Sequence, residues 1–155
     1  MENRSESFDK PIDLTSDEAL LLKNQLCFPL YAAARKIVRV YTPILDKLSL
    51  TYTQYITLLV LWEADGLSVK ELGNRLYLDS GTLTPLLKKL EAQGLCTRAR
   101  DQIDERNVSI YLTDKGRDLK EAARAVPGQV ASCIALKPED ILELQGLLSL
   151  MLIAD

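Results

Sequence analysis

Three cysteines and six tyrosines carry the side-chain chemistry of this 155-residue chain. Cys27 is followed one helical turn later by Tyr31, and Tyr41, Tyr52 and Tyr55 come close behind it in sequence. A tyrosine differs from a phenylalanine by a hydrogen-bond donor, and the chain holds six tyrosines against two phenylalanines. Hydroxyls brought near a sulfur stabilise its thiolate, and Lys23, one turn before Cys27, adds positive charge if it faces the same way. Thiolate is the form that attacks a peroxide and enters the ladder from sulfenic acid to disulfide. The commoner use of a cysteine on an apolar helix face is as an inert small hydrophobe, and spacing alone does not make the hydroxyls converge. Cys133 falls in a loop or frayed turn between the last two expected helices, where mobility would let it meet a distant sulfenic acid. Cys96, in an expected strand, reads as a packed thiol. Cys27 and Cys133 are therefore the expected working pair.

Other chemistries find few residues. The chain has no histidine, which removes the commonest general base and metal ligand, and its cysteines are too scattered for a zinc site. No metal, cofactor or catalytic residue is expected, and an enzyme such as a thiol peroxidase would need a substrate cleft and a turnover partner. The polar start MENRSESFDK lacks the apolar centre of a signal peptide, and no long uncharged apolar run suggests a membrane span. The expectation is a cytoplasmic protein with free thiols and no membrane partner. The formal charge is -3 and the pI about 5.1, so nucleic-acid binding would need a locally basic surface. Lys88, Lys89, Arg98, Arg100 and Arg106 supply one.

These residues must be positioned by elements, and the most legible lie in residues 69–94, VKELGNRLYLDSGTLTPLLKKLEAQG. Two apolar-periodic runs joined by a short link have helix-turn-helix spacing. Ser68 with Glu71 makes a capping box for the first run, and Asp79 or Ser80 can cap the second. Leu83, Leu86, Leu87 and Leu90 form one apolar stripe, which leaves Thr82, Thr84, Lys88 and Lys89 largely off it. Gly94 supplies the stop. Such a small, hydroxylated, basic outer face suits a helix in a DNA major groove, although two helices of any bundle could share the spacing. Strand-like residues 95–99 and 108–112 then flank a charged loop and read as a hairpin. Directly after a recognition helix, such a hairpin is a wing, from which Arg100, Arg106 and Gln102 can reach phosphates or the minor groove while Asp101 or Asp104 holds an arginine.

Around this centre, residues 1–14 read as a flexible arm. A capping box at Thr15 and Glu18 opens a long first helix, bent or divided at Pro29. Residues 42–50 read as a short helix and 53–63 as the next, with Tyr55, Leu58, Leu59 and Leu61 or Trp62 toward a core, and Gly66 ends it. A helix from Thr113 runs to about Ala125, and Pro127-Gly128 ends or bends it. Pro138 opens a last helix that is apolar around more than one face. Its second face needs a cover, and the simplest is the same helix of another copy about a two-fold axis. The expected fold is mainly α with a small β wing: a winged helix-turn-helix over residues 53–113, with residues 15–52 and 114–155 forming a helical dimerisation region.

The segments LDSGTLTPLLKKLEAQGL and RDQIDERNVSIYLTDKG resemble the MarR superfamily of winged helix-turn-helix repressors. The segment KNQLCFPLYAAARKIVRVYTPILDKLSLTYTQY is similar to its organic hydroperoxide resistance (OhrR) members. The resemblance runs from about Leu22 to the last helix. It implies that Cys27 is the peroxide-sensing thiol and that Tyr41 and Tyr52 hydrogen-bond it across the dimer interface, with Tyr31 a further pocket tyrosine. It places Cys133 at the resolving position of the two-cysteine branch, which forms a disulfide between subunits. Ser80, Thr82, Thr84 and Lys88 match the helix that reads the groove. Arg98, Arg100, Asp104 and Arg106 match the wing region, with Asp104 and Arg106 as the acid-arginine pair of its tip. Pro29 departs from the small residue expected after the Cys-Phe pair and bears on the helix around the sensor. The implied protein is a homodimer that binds double-stranded, palindromic operator DNA when reduced and releases it when an organic hydroperoxide oxidises Cys27. Two other readings stay open: a MarR-like repressor released by a phenolic or aromatic ligand, and a thiol sensor of another oxidant such as hypochlorous acid.

Overall fold

The computed structural model describes residues 15–100 and 108–153. The chain divides into two units, one ending at Arg39 and the other beginning at Val40, and helix α1, Cys27–Leu45, runs across the division.

In the N-terminal unit the expected long helix does not open at Thr15 and Glu18 but at Cys27. Residues 17–24 make two short 3-10 turns, Asp17–Leu20 and Leu22–Asn24, and Ser16, at the cap position, makes no side-chain capping bond. Asn24 Nδ2 donates to the Glu18 carbonyl at 2.7 Å and Gln25 Nε2 to that of Ala19, tying the turns together. The physical reason lies in Pro29. A helix running through it would lose a hydrogen bond and press the ring on the Gln25 carbonyl. With the helix starting at Cys27, Pro29 sits in the first turn, where its missing N–H costs nothing. Cys27 is thus the first residue of α1 rather than a residue ahead of a mid-helix defect.

Nor is there a separate helix over 42–50. α1 continues through Pro43 to Leu45, a 3-10 turn spans Asp46–Leu48, and Ser49 ends it in the left-handed region at φ 56°. Fully buried Leu45, with Val40, Tyr41 and Ile44 against the same core, carries the helix past its proline.

The core of the second unit is built on α2 (Tyr52–Glu63), α3 (Val69–Leu76) and α4 (Ser80–Ala92). A capping box of Thr51 and Gln54 starts α2, and Tyr55, Leu58 and Leu61 are buried from it, whereas Leu59, expected inward, is exposed. The Ser68–Glu71 box opens α3. α3 ends on Tyr77 in the left-handed region, φ 53°, and Asp79 caps α4. Leu83, Leu86, Leu87 and Leu90 are all buried, and Gly94 turns the chain at φ 71°.

The wing strands are β2 (Cys96–Arg100) and β3 (Val108–Leu112), antiparallel with Cys96 opposite Leu112 and Arg100 opposite Val108. A third strand, β1 (Leu67–Ser68), pairs with β3 to give the order β1-β3-β2. Two residues are too short to show a strand period, so it was not legible beforehand. Gly66, expected to end α2, opens this strand instead: the helix stops at Glu63, and Gly66 at φ 77° donates its N–H to the Ile110 carbonyl at 3.0 Å. Helices α5 (Asp114–Ala123), α6 (Val126–Ala131) and α7 (Pro138–Ile153) complete the fold. Thr113 caps α5, and Pro127 falls in the first turn of α6. It is a mainly α-helical winged helix-turn-helix with a small three-stranded sheet.

Candidate redox and nucleic-acid sites

Cys27 and Cys133 are exposed free thiols, and Cys96 is a buried one. Cys27 stands at the N-terminal end of a 19-residue helix. Cys133 lies in the turn after α6, its Sγ 4.0 Å from the Ser132 hydroxyl. Cys96 is 1% exposed, and burial first, then the charge of Glu91, pushes its thiol up to about 11, against a smaller opposing effect of Arg98. Its Sγ lies 4.0 Å from the Leu87 carbonyl. That is a thiol held protonated inside the fold.

The tyrosines divide between the two units. In the N-terminal unit, Tyr31 is exposed, and its hydroxyl accepts from Arg35 Nη1 at 2.7 Å. In the second unit, the rings of Tyr41 and Tyr52 meet edge to face at 5.0 Å, with Tyr55 tilted against Tyr41 at 5.9 Å. Burial, then the neighbouring Tyr52, raises the Tyr41 hydroxyl above its ordinary value, and burial, then Tyr41 and Tyr52, raises that of Tyr55. Both phenols stay protonated, and hence donors, at neutral pH. Spacing had pointed to the tyrosines but not to Arg35, whose signal is its place four residues after Tyr31 and eight after Cys27.

On α4, Ser80, Thr82, Thr84 and Lys88 are all exposed. Thr82 donates its hydroxyl to Asp79 Oδ2 at 2.8 Å, and Thr84 donates to the Ser80 carbonyl at 2.7 Å. With those protons spent inside the helix, the two hydroxyl oxygens face outward as acceptors beside their methyl groups. Arg98 is held by Glu91, Nε and Nη2 each 2.7 Å from Oε2, which braces β2 against α4. Arg100 ends β2, while Asp104, Arg106, Asp101 and Gln102 lie outside the described residues, as does the 1–14 arm.

Asp65 was not singled out from the sequence and has no local signal. Its Oδ1 accepts from the Gly66 and Leu112 N–H groups at 3.0 and 2.8 Å, and its Oδ2 pairs with Arg117 at 3.2 Å. One carboxylate thereby joins the end of α2, the base of the wing and α5. Trp62 adds a second tie, donating Nε1–H to the Gly116 carbonyl at 2.9 Å. Among the described residues no cluster of metal-ligating side chains is present, and no helix is long and apolar enough to cross a membrane.

Comparison with known proteins places this arrangement. Residues 39–123 match the family described as transcriptional regulator SarA/Rot. The organic hydroperoxide resistance transcriptional regulator of Bacillus subtilis is 51% identical over 131 residues, covering 84% of this chain and 89% of that protein. The regulator TtmR of Methylorubrum extorquens is 60% identical over 114 residues, 74% of this chain but only 58% of the longer TtmR. Among solved structures, reduced AbfR bound to DNA matches with a TM-score of 0.75 and 36% identity over 87% of this chain and 92% of that one. The disulfide form of AbfR, a Staphylococcus epidermidis protein, matches with a TM-score of 0.61 and 38% identity over 87% and 95%. With this fold, these thiols and these relatives, the chain belongs to the MarR superfamily of transcriptional regulators, in its redox-sensing group similar to OhrR, SarZ and AbfR.

Proposed function

We propose that this regulator is a dimeric repressor whose Cys27 senses organic hydroperoxide. The Cys27 thiolate attacks the distal oxygen of the hydroperoxide; the S–O bond forms as the O–O bond breaks, and the alkoxide leaves as the alcohol after taking a proton. Cys133 of the partner subunit then attacks the sulfenic sulfur, expelling water and forming the disulfide. Two thiols thus supply the two electrons that reduce the hydroperoxide. Tyr31, together with Tyr41 of the partner subunit and Tyr52 of the partner subunit, serves as a hydroxyl donor to the sensor sulfur. Drawing two distant sulfurs together reorients the winged domains and lowers DNA affinity.

The observation that carries this reading is the division of the thiols: two exposed, one buried and held protonated. AbfR, solved both on DNA in its reduced form and as a disulfide, supports the same cycle. For the operator, α4 enters the major groove. The acceptor oxygens of Thr82 and Thr84 suit the amino groups of adenine or cytosine, their methyls suit thymine, and Lys88 suits phosphate. Arg100, Asp104 and Arg106 serve the wing contact with the adjacent backbone, and Arg98 holds that wing to α4.

The test is operator binding by wild type, Cys27→Ser and Cys133→Ser, with and without cumene hydroperoxide, followed on nonreducing gels. Wild type should release DNA reversibly and show a crosslinked dimer, and Cys27→Ser should stay bound. Release by Cys133→Ser, with Cys27 overoxidised or carrying a thiol adduct, would make this a one-cysteine sensor. Peroxide-driven release of Cys27→Ser would sink the sensor assignment.

A further inference from the structure

Arg35 engages Tyr31 in two ways. Its Nη1 donates to the hydroxyl at 2.7 Å, and its guanidinium carbon stands 5.5 Å from the ring centroid. Cys27, Tyr31 and Arg35 follow one another at intervals of four along α1, so they share one stripe of the helix. Helical side chains lean toward the N-terminus. Arg35 therefore reaches back to Tyr31, which lies one turn after Cys27 on the same stripe. A phenol oxygen that accepts from a guanidinium keeps its own proton for another partner. The next group along the stripe is the Cys27 sulfur.

We propose that Arg35 is a positioning residue for the thiol reaction, fixing the Tyr31 hydroxyl with its proton directed to the sulfur and to the peroxide oxygen that leaves it. The proposal rests on Cys27 being the sensor. As the thiolate attacks and the O–O bond breaks, the departing alkoxide needs a proton. Tyr31 supplies it and becomes a phenolate beside the Arg35 charge, and solvent then returns the proton. A guanidinium suits this task because its planar fork bonds the oxygen and covers the ring at once, which an ammonium does not.

The experiment measures the rate of Cys27 oxidation by cumene hydroperoxide in the full-length, reduced protein, across pH, for Arg35→Met, Arg35→Lys, Tyr31→Phe and the Arg35→Met/Tyr31→Phe double variant. Arg35→Met and Tyr31→Phe should each slow oxidation by about tenfold, the scale of one charge-assisted hydrogen bond. The double variant should be no slower than Tyr31→Phe alone, because Arg35 acts through that hydroxyl, and Arg35→Lys should recover only part of the rate. Operator affinity of the reduced variants should match wild type, which separates this role from a general loss of structure. A wild-type rate in Arg35→Met, or a double variant slowed by the product of the two single effects, overturns the proposal. Cys27→Ser, run in parallel, tests the underlying reading by itself: if it still releases DNA with peroxide, the sensor assignment fails rather than the Arg35 role.

Discussion

At the residue scale, a thiol buried like Cys96 differs from one exposed like Cys27 because water no longer solvates its anion. Iodoacetamide added to the native protein near neutral pH should alkylate Cys27 and Cys133 and spare Cys96, a pattern mass spectrometry reads directly. Labelling of Cys96 at the same rate would contradict its burial. The raised thiol also has a sign in stability. Unfolded, it loses its proton near 9.0, and folded near about 11; between these the native state binds more protons than the unfolded one. Stability therefore falls as pH rises through that window. Thermal melts of Cys96→Ala should show a shallower alkaline decline than wild type. Tyr41 and Tyr55, also raised, add a decline of the same sign that the variant retains.

At the element scale, the recognition helix depends on its cap and its buried stripe. Asp79 accepts from the Thr82 hydroxyl and N–H, and these bonds, the hydroxyl first, hold its carboxyl below the ordinary value. A lowered carboxylate stabilises the fold above its unfolded pKa, and that contribution is lost as pH falls through the folded one. Asp79→Asn keeps a capping oxygen without the titration, so its melting temperature should decline less on the acid side than that of wild type. Leu87→Ala removes a fully buried side chain from α4 and should cost about 2–5 kcal/mol in denaturant unfolding. Gly116→Ala tests the joint between wing and α5, where a Cβ would collide with the Leu95 carbonyl oxygen. Backbone there cannot swing aside as a side chain would, so the loss should reach about 1–3 kcal/mol or more in the same measurement.

At the scale of the whole molecule, the described N-terminal residues and α7 each expose apolar surface that one subunit leaves unburied. In the N-terminal unit, Leu20 is 81% exposed, with Leu22 and Leu26 also open. On α7, Leu142, Leu147, Leu150, Met151 and Leu152 are exposed as well. Such patches mark interfaces, and we propose that they are the surfaces the homodimer covers. Leu147→Lys should shift the protein toward monomer in sedimentation. It should also weaken operator binding by on the order of 10²-fold, because two linked recognition helices act together. A variant that remains dimeric with intact operator affinity would place the interface elsewhere.

The sequence by itself determined what depends on residues within about four positions of one another. The Ser68–Glu71 box, the start of α4 at its acidic cap, the Leu83, Leu86, Leu87 and Leu90 stripe and the Gly94 turn were all legible from it, and the wing hairpin followed from two strand-like runs flanking one charged loop. A cap or an apolar stripe is a local arrangement whose geometry the helix repeat supplies. The thiols too could be sorted from their sequence settings, since Cys96 lay in a strand beside the recognition helix. Only the tertiary structure decided where local signals lose or have no voice. No α-helix opens at Thr15 and Glu18, where Pro29 stands ahead and no residue of the segment is buried, while Pro43 was tolerated because Leu45 is locked in the core. β1, the Arg98–Glu91 brace and the Asp65 junction joining Gly66, Leu112 and Arg117 bring together residues up to 52 positions apart. Such contacts form only when packing sets the backbones side by side, and no spacing in the chain announces them.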